Sequence, residues 1–298
     1  MTPFAVAGIQ MQVSNRDNIS AMGERLDQLM NVYPWVQMVL FSELAPFGPN
    51  RDAAQTMPGP AEKIFQKFAR RHSVWLIPGS YFESKDGKLY NTSPVINPQG
   101  EVVTRYRKMF PFYPYEDDIT PGEEFCVFDV EGAGRFALTN CYDIWFPETT
   151  RTLASMGAEV LLHPVMTNYI DRDIDIMMAR AAAAANQIYV FDINGIGTGG
   201  VGGSCVIDPS ARLLHEAGSH EEFIPIEIDF DQVRRQRVRG IRNLGQPLKS
   251  FRDRRVAFDV YDKRADTRYL DSLGELVKPG RACQNPVFRA RPGVLSGG

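Results

Sequence analysis

Two stretches of this chain repeat one order of patterns, and the repeat narrows the folds open to it. In the first, an amphipathic helix over 61–72 leads into the apolar run 74–80, and Val95-Ile96-Asn97-Pro98-Gln99-Gly100-Glu101-Val102-Val103 follows. In the second, a helix over 173–186 leads into a strand over 188–194, and Val206-Ile207-Asp208-Pro209-Ser210-Ala211-Arg212-Leu213-Leu214 follows. The Asn-Pro and Asp-Pro turns each join two short apolar strands, as in a hairpin. Further strand patterns lie at 4–10 and 36–41. Alternation of this kind predicts an α/β chain with helices packed outside sheet. Two similar halves facing one another predict a layered sandwich with its site at the sheet ends.

The remaining composition excludes more than it selects. A length of 298 residues and 44% apolar content allow one large or two small domains, and a net charge of -3 gives no reason to expect nucleic acid. Cys126, Cys141, Cys205 and Cys283 are far apart and form no CxxC pair, so they read as reduced thiols of a cytoplasmic protein. The first residues enter a strand pattern directly, without the charged start and long apolar run of a signal peptide. No apolar stretch approaches the roughly 20 residues of a membrane helix. After Arg252 the patterning fades, which divides the chain into 1–252 and an extended tail over 253–298, its last stretch 292–298 expected to be disordered.

Three segments carry residues suited to a single chemistry. Phe41-Ser42-Glu43-Leu44 sets a carboxylate just after an apolar strand, where α/β sites tend to lie. Tyr106-Arg107-Lys108 sets a lysine after another, and Glu116 follows eight residues on. In the third, Leu138-Thr139-Asn140 leads into Cys141, and Pro147-Glu148 opens a helical pattern behind it. Backbone N–H groups at such a strand-to-helix turn favour an anion, predicting a lowered thiol pKa and part of an oxyanion hole. Singly, these residues read as a strand-end charge, a surface lysine, a loop carboxylate and a core cysteine. Their joint occurrence at strand ends points instead to nucleophilic catalysis.

A cysteine nucleophile usually has a histidine base. None of His72, His163, His215 and His220 lies in these segments, and only His163, after an apolar strand, is a candidate. A desolvated carboxylate can serve as base, and a lysine can hold an oxyanion. No metal-ligand spacing occurs, and the Gly-rich segment 195–203 follows a strand without opening a helix. No metal and no cofactor are expected.

Taken in order, Ser42-Glu43, Tyr106-Arg107-Lys108 and Asn140-Cys141-Tyr142-Asp143 resemble the motifs of the nitrilase superfamily of carbon–nitrogen hydrolases, over most of residues 4–250. The resemblance implies a four-layer α-β-β-α sandwich with two pseudo-symmetric halves, a catalytic domain over 1–252, and homodimers or larger homo-oligomers to which the tail contributes. It implies Glu43 as general base, Cys141 as the nucleophile that forms a thioester, Lys108 as oxyanion holder, and Glu116 as a second glutamate positioning substrate and lysine. Tyr142-Asp143 stands where nitrilases carry Trp-Glu, which implies amide rather than nitrile hydrolysis. The loop 108–116 and the helix segment 177–186 resemble the aliphatic amidase and formamidase branch. The string 141–148 is similar to N-carbamoyl amine hydrolases and ω-amidases.

The leading expectation is cofactor-free hydrolysis of a small carboxamide to acid and ammonia. An N-carbamoyl amine hydrolase and a catalytically idle scaffold are the alternatives. Tyr142 and Trp145 are the expected substrate contacts, whereas Phe112, Tyr113, Met166 and Tyr169 read as core. Arg151 and Arg172 are unremarkable as carboxylate clamps, so a neutral or weakly polar amide is expected.

Overall fold

The computed structural model describes residues 2–276 except Gly199 and Lys263. Its first half runs β1 (Pro3–Gln10), β2 (Gln12–Val13), α1 (Ile19–Val32), β3 (Met38–Phe41), α2 (Pro60–His72), β4 (Trp75–Ile77), β5 (Tyr81–Lys85), β6 (Lys88–Ile96) and β7 (Val102–Arg107). The second runs β8 (Cys126–Val130), β9 (Gly134–Leu138), α3 (Pro147–Ser155), β10 (Val160–Val165), α4 (Tyr169–Asn186), β11 (Tyr189–Asn194), β12 (Ile196–Gly197), β13 (Gly200–Val201), β14 (Cys205–Ile207) and β15 (Leu213–Glu216). Then β16 (Glu222–Asp229), α5 (Phe230–Arg239), α6 (Pro247–Arg252) and the one-turn α7 (Arg268–Asp271) complete the described chain.

Each half builds one sheet. The first has the order β16-β1-β3-β4-β6-β5 with β7 also paired to β6, and the second has β15-β14-β11-β10-β9-β8. Strands β1, β3 and β4 are parallel, as are β9, β10 and β11. Both proline turns close antiparallel hairpins, pairing Val95 with Thr104 and Val206 with His215. The repeat read from sequence therefore extends to strand order. Late in the chain, β16 crosses back to lie antiparallel along all of β1.

Sheets covered on both faces read as continuous apolar runs, and successive side chains point to opposite faces. Met38 and Leu40 accordingly enter a core shared with Leu162 and Phe191 of the other sheet. Val39 and Phe41 turn instead toward Met22, Leu26 and Phe65 of α1 and α2. Leu161 and Val190 pack against Leu153 and Ala183 of α3 and α4. Three stacked cores make four layers, α-β-β-α, and each large apolar side chain so buried contributes about 1.5–3 kcal/mol.

Two helices depart from the sequence expectation. Helix α1 has the apolar spacing Met22, Leu26, Leu29 but no strong start signal, and its cap Asn18 makes no side-chain capping bond. Helix α4 begins at Tyr169 rather than at 173, because its first turn carries Ile170, 86% exposed, and so lacks an amphipathic pattern. The Gly-rich segment supplies β12 and β13, which join β2 in a small separate sheet. Among the described residues no helix is long and apolar enough to cross a membrane. The described tail is largely exposed, with its Phe258 stacked 6.0 Å from Phe251 of α6. The expected disordered stretch 292–298 and Cys283 lie outside the described residues.

Candidate active site

The loops leaving one end of both sheets meet over a single cavity. Glu43 follows β3 by two residues, and its N–H donates to the carbonyl of Val165 at the end of β10 (3.2 Å), tying one sheet to the other. Leu44 then turns with a φ of 54°, its N–H donating to Ser80 Oγ at 3.1 Å. This turn lies against Gly79, whose φ is +77° and whose missing Cβ would sit 1.8 Å from the Ser42 carbonyl oxygen. Gly79→Ala is therefore expected to destabilise the fold by about 2–4 kcal/mol and to lower turnover by shifting Glu43. Thermal melting and an ammonia assay check this; an unchanged melt would show that the turn yields freely.

Lys108 directly follows β7, its N–H bonded to the Asn91 carbonyl at 2.9 Å. Cys141 follows β9 and opens a short 3₁₀ turn, Cys141–Trp145, with a φ of 47° that costs a non-glycine residue about 1–2 kcal/mol. Asp143 holds this turn. It accepts the Asn140 N–H at 2.8 Å, the Phe110 N–H at 2.9 Å and the Tyr106 hydroxyl at 2.6 Å. The nucleophile's turn is thus bonded to the segment that carries Lys108. Burial pushes the Asp143 carboxyl up to about 6 despite these donors.

At the centre, Lys108 Nζ lies 2.9 Å from Glu43 Oε1 and 2.8 Å from Glu116 Oε2. Asn91 Nδ2 donates to the same Glu43 oxygen at 2.9 Å, and the Phe112 N–H to Glu116 Oε2 at 2.6 Å. The Cys141 thiol lines the same cavity as Glu43 and lies 3.9 Å from Thr167 Oγ1. Glu43 is 3% exposed and Lys108 2%.

These contacts sort the protons. Burial pulls the Lys108 pKa down, but the flanking Glu43 and Glu116 outweigh it and hold the ammonium well above the usual lysine range. Burial raises Glu43, with Glu116 adding to the rise and Lys108 opposing it. For Glu116 burial also acts upward, yet Lys108 and the Phe112 N–H leave it below the ordinary range. Glu43 is the member of the pair poised to accept a proton.

The thiol behaves opposite to the expectation from its turn. Burial, then the negative charge of Glu43, push Cys141 well above the usual cysteine range, and Lys108 only partly offsets them. An enclosed sulfur beside a carboxylate loses more through desolvation and like charge than the turn returns. His163 does not serve as base either. It is fully buried, its Nδ1 is 2.8 Å from Thr139 Oγ1, and burial pushes it down to about 3, so the ring is neutral.

The cavity has a volume of about 440 Å³ and is lined by Glu43, Lys108, Glu116 and Cys141, together with Tyr142 and Trp145. Phe112 and Met166, read from sequence as core, line it too, since a loop and a strand exit bring them to the rim. Tyr113 instead donates to the Ile119 carbonyl at 3.2 Å, and the Tyr169 side chain lies outside what is described. Asn91, Thr167, Tyr115 and Asp175 are site residues that sequence reasoning missed. Among the described residues no group of three or more His, Cys, Asp or Glu is arranged to hold a metal ion.

Layers and reactive residues at their shared edge define a hydrolase of carbon–nitrogen bonds other than peptide bonds, and comparison with known proteins agrees. More particularly, the chain belongs to the carbon-nitrogen hydrolase family, whose model matches residues 5–238. It is 33% identical over 191 residues to an (R)-stereoselective amidase of Pseudomonas sp, covering 62% of this chain and 68% of that protein. It is 27% identical over 280 residues to the omega-amidase NIT2 of Homo sapiens, covering 88% and 98%. The structure of Nit3 from Saccharomyces cerevisiae, a member of branch 10 of the nitrilase superfamily, superposes with a TM-score of 0.74 at 25% identity, covering 79% and 93%.

Proposed function

We propose that the protein hydrolyses a small carboxamide to the acid and ammonia through a thioester on Cys141. The observation that carries this reading is Lys108 held between Glu43 and Glu116 beside the Cys141 thiol, on the wall of one cavity. Glu43 takes the thiol proton as Sγ attacks the amide carbon. The Lys108 ammonium and the Tyr142 N–H receive the oxyanion, a role in which a single donor is worth about 3–4 kcal/mol. Glu43 passes its proton to the departing nitrogen, and the C–N bond breaks to release ammonia. Glu43 then deprotonates a water that attacks the thioester, and the proton returns to sulfur as the acid leaves. Glu116 fixes Lys108 for both steps, and Tyr142 and Trp145 face the acyl group.

The amidase names of the relatives support the same class of substrate. Exposed Phe258, Val260 and Leu270 support a tail that packs on another copy of the chain, in a homo-oligomer. Ammonia release from a panel of carboxamides, N-carbamoyl amines and nitriles tests the reaction. Ammonia and acid from carboxamides are expected. Equimolar carbon dioxide from N-carbamoyl compounds alone would replace the reading with carbamoyl hydrolysis.

The acid limb of activity gives a second check. Glu43 works as a base only when ionised, and its raised pKa keeps the proton on above the ordinary glutamate value of 4.5. The profile of kcat/KM on a neutral amide is expected to fall, on the acid side, at a pH above that value. A limb at or below it would assign the base elsewhere.

A further inference from the structure

The cavity carries more negative charge than its catalytic residues account for. Glu43 and Glu116 share Lys108, while Asp171 and Asp175 add a wall supplied by α4. Nearby cations are already engaged. Arg51 forks onto Asp118 at 2.9 and 3.1 Å, and Arg172, behind the wall, is paired with Asp192 and donates to the Gly203 carbonyl. Among the described residues Asp171 has no ionic partner.

Asp175 is the more telling of the two. It is 3% exposed, and its Oδ1 accepts the Trp145 indole N–H at 2.8 Å. Its Oδ2 is buried without a hydrogen-bond partner, and Arg172 Nη1 stays 4.0 Å away. Among the described residues Arg172 is its one ionic neighbour and is shared with Asp192, so the oxygen is left without a hydrogen bond; a buried oxygen of that kind is costly, and the cost falls when a further cation arrives. Burial and then Asp192 both push this carboxyl upward, consistent with a charge that awaits compensation. Thr167, whose hydroxyl is 3.9 Å from Cys141 Sγ, lines the same cavity as this carboxylate, and the negative charge of Asp175 is near enough to help raise the thiol. Phe112 and Trp145 lie 5.0 and 5.6 Å from Tyr142, forming an aromatic wall whose ring faces favour cations.

We infer that the site selects carboxamides bearing an ammonium group a few bonds from the amide carbon, and that it discriminates against carboxylate-bearing amides. The ammonium would sit between Asp175 and Asp171, with the amide carbon at Cys141. This selectivity rests on the amidase reading above.

Matched carboxamides of equal length, ending in an ammonium, a methyl or a carboxylate group, test it. At low salt kcat/KM for the ammonium compound is expected to exceed that for the methyl compound by about tenfold or more, with the carboxylate compound lowest. The spread should shrink at high salt. Asp171→Asn and Asp175→Asn should each cut the ammonium-to-methyl ratio by about fivefold. Asp171 is only partly buried, so its variant keeps the test valid if the Asp175 variant folds poorly. Equal rates across the series, or a ratio that survives the substitutions, would overturn the selectivity and leave the amidase reading intact. Silence toward every compound, with silence toward the wider carboxamide panel, would overturn both.

Discussion

Replacing Cys141 by alanine is expected to abolish ammonia release, a loss of at least about 10⁴-fold, with the fold left standing. The residue is half-buried, and the strain of its φ of 47° is carried equally by alanine. Stability should therefore change by no more than about 1 kcal/mol. No other described thiol can take over. Cys126 lies in the core between the sheets and Cys205 in the core under α3 and α4. An ammonia assay and a thermal melt on one sample decide the matter. Retained turnover would remove the thioester; lost turnover with a lost fold would leave the sulfur's role open to a Cys141→Ser variant, which keeps the shape and should also be inactive.

Lys108→Met is expected to damage both activity and stability. It removes the one cation between Glu43 and Glu116, leaving two buried carboxylates without their shared partner. Breaking such a pair costs about 3–5 kcal/mol, and losing the oxyanion donor about 10²–10³ in kcat. The pH dependence has a definite sign. In the parent, Glu116 is held below its ordinary range, so its contribution is present at neutral pH and is lost as the pH falls through its folded value. In the variant both carboxylates would be raised, and a raised acid gains stability for the fold as it takes up protons. The difference in melting temperature should accordingly narrow as the pH drops from about 7 to 5. A gap that stays constant would mean that Lys108 acts by packing rather than by charge.

Strand ends are legible in this sequence because Glu43, Lys108 and Cys141 each follow a run apolar enough to mark a buried strand. The paired helix–strand–hairpin pattern likewise shows the two halves. What local pattern does not carry is depth. Asn91, Thr92 and Ser93 are consecutive polar residues in β6, all fully buried, because that sheet is covered on both faces. Asp171 and Asp175 carry no local mark of a site, yet their four-residue spacing on α4 puts both on the cavity side. The thiol's pKa is misjudged for a related reason. The turn that would lower it is local, while Glu43, which raises it, arrives from the other sheet.

The division of the site between two sheets also governs when a growing chain can first act. Glu43 and Lys108 belong to the first half, Cys141 and Thr167 to the second, and the first sheet gains its outer strand only when residues 222–229 have been made. Turnover is a coincidence signal, present only when both sheets have formed and met. A growing polypeptide can display the cysteine long before it can use it, so reactive chemistry is withheld until synthesis of the paired sheets is complete.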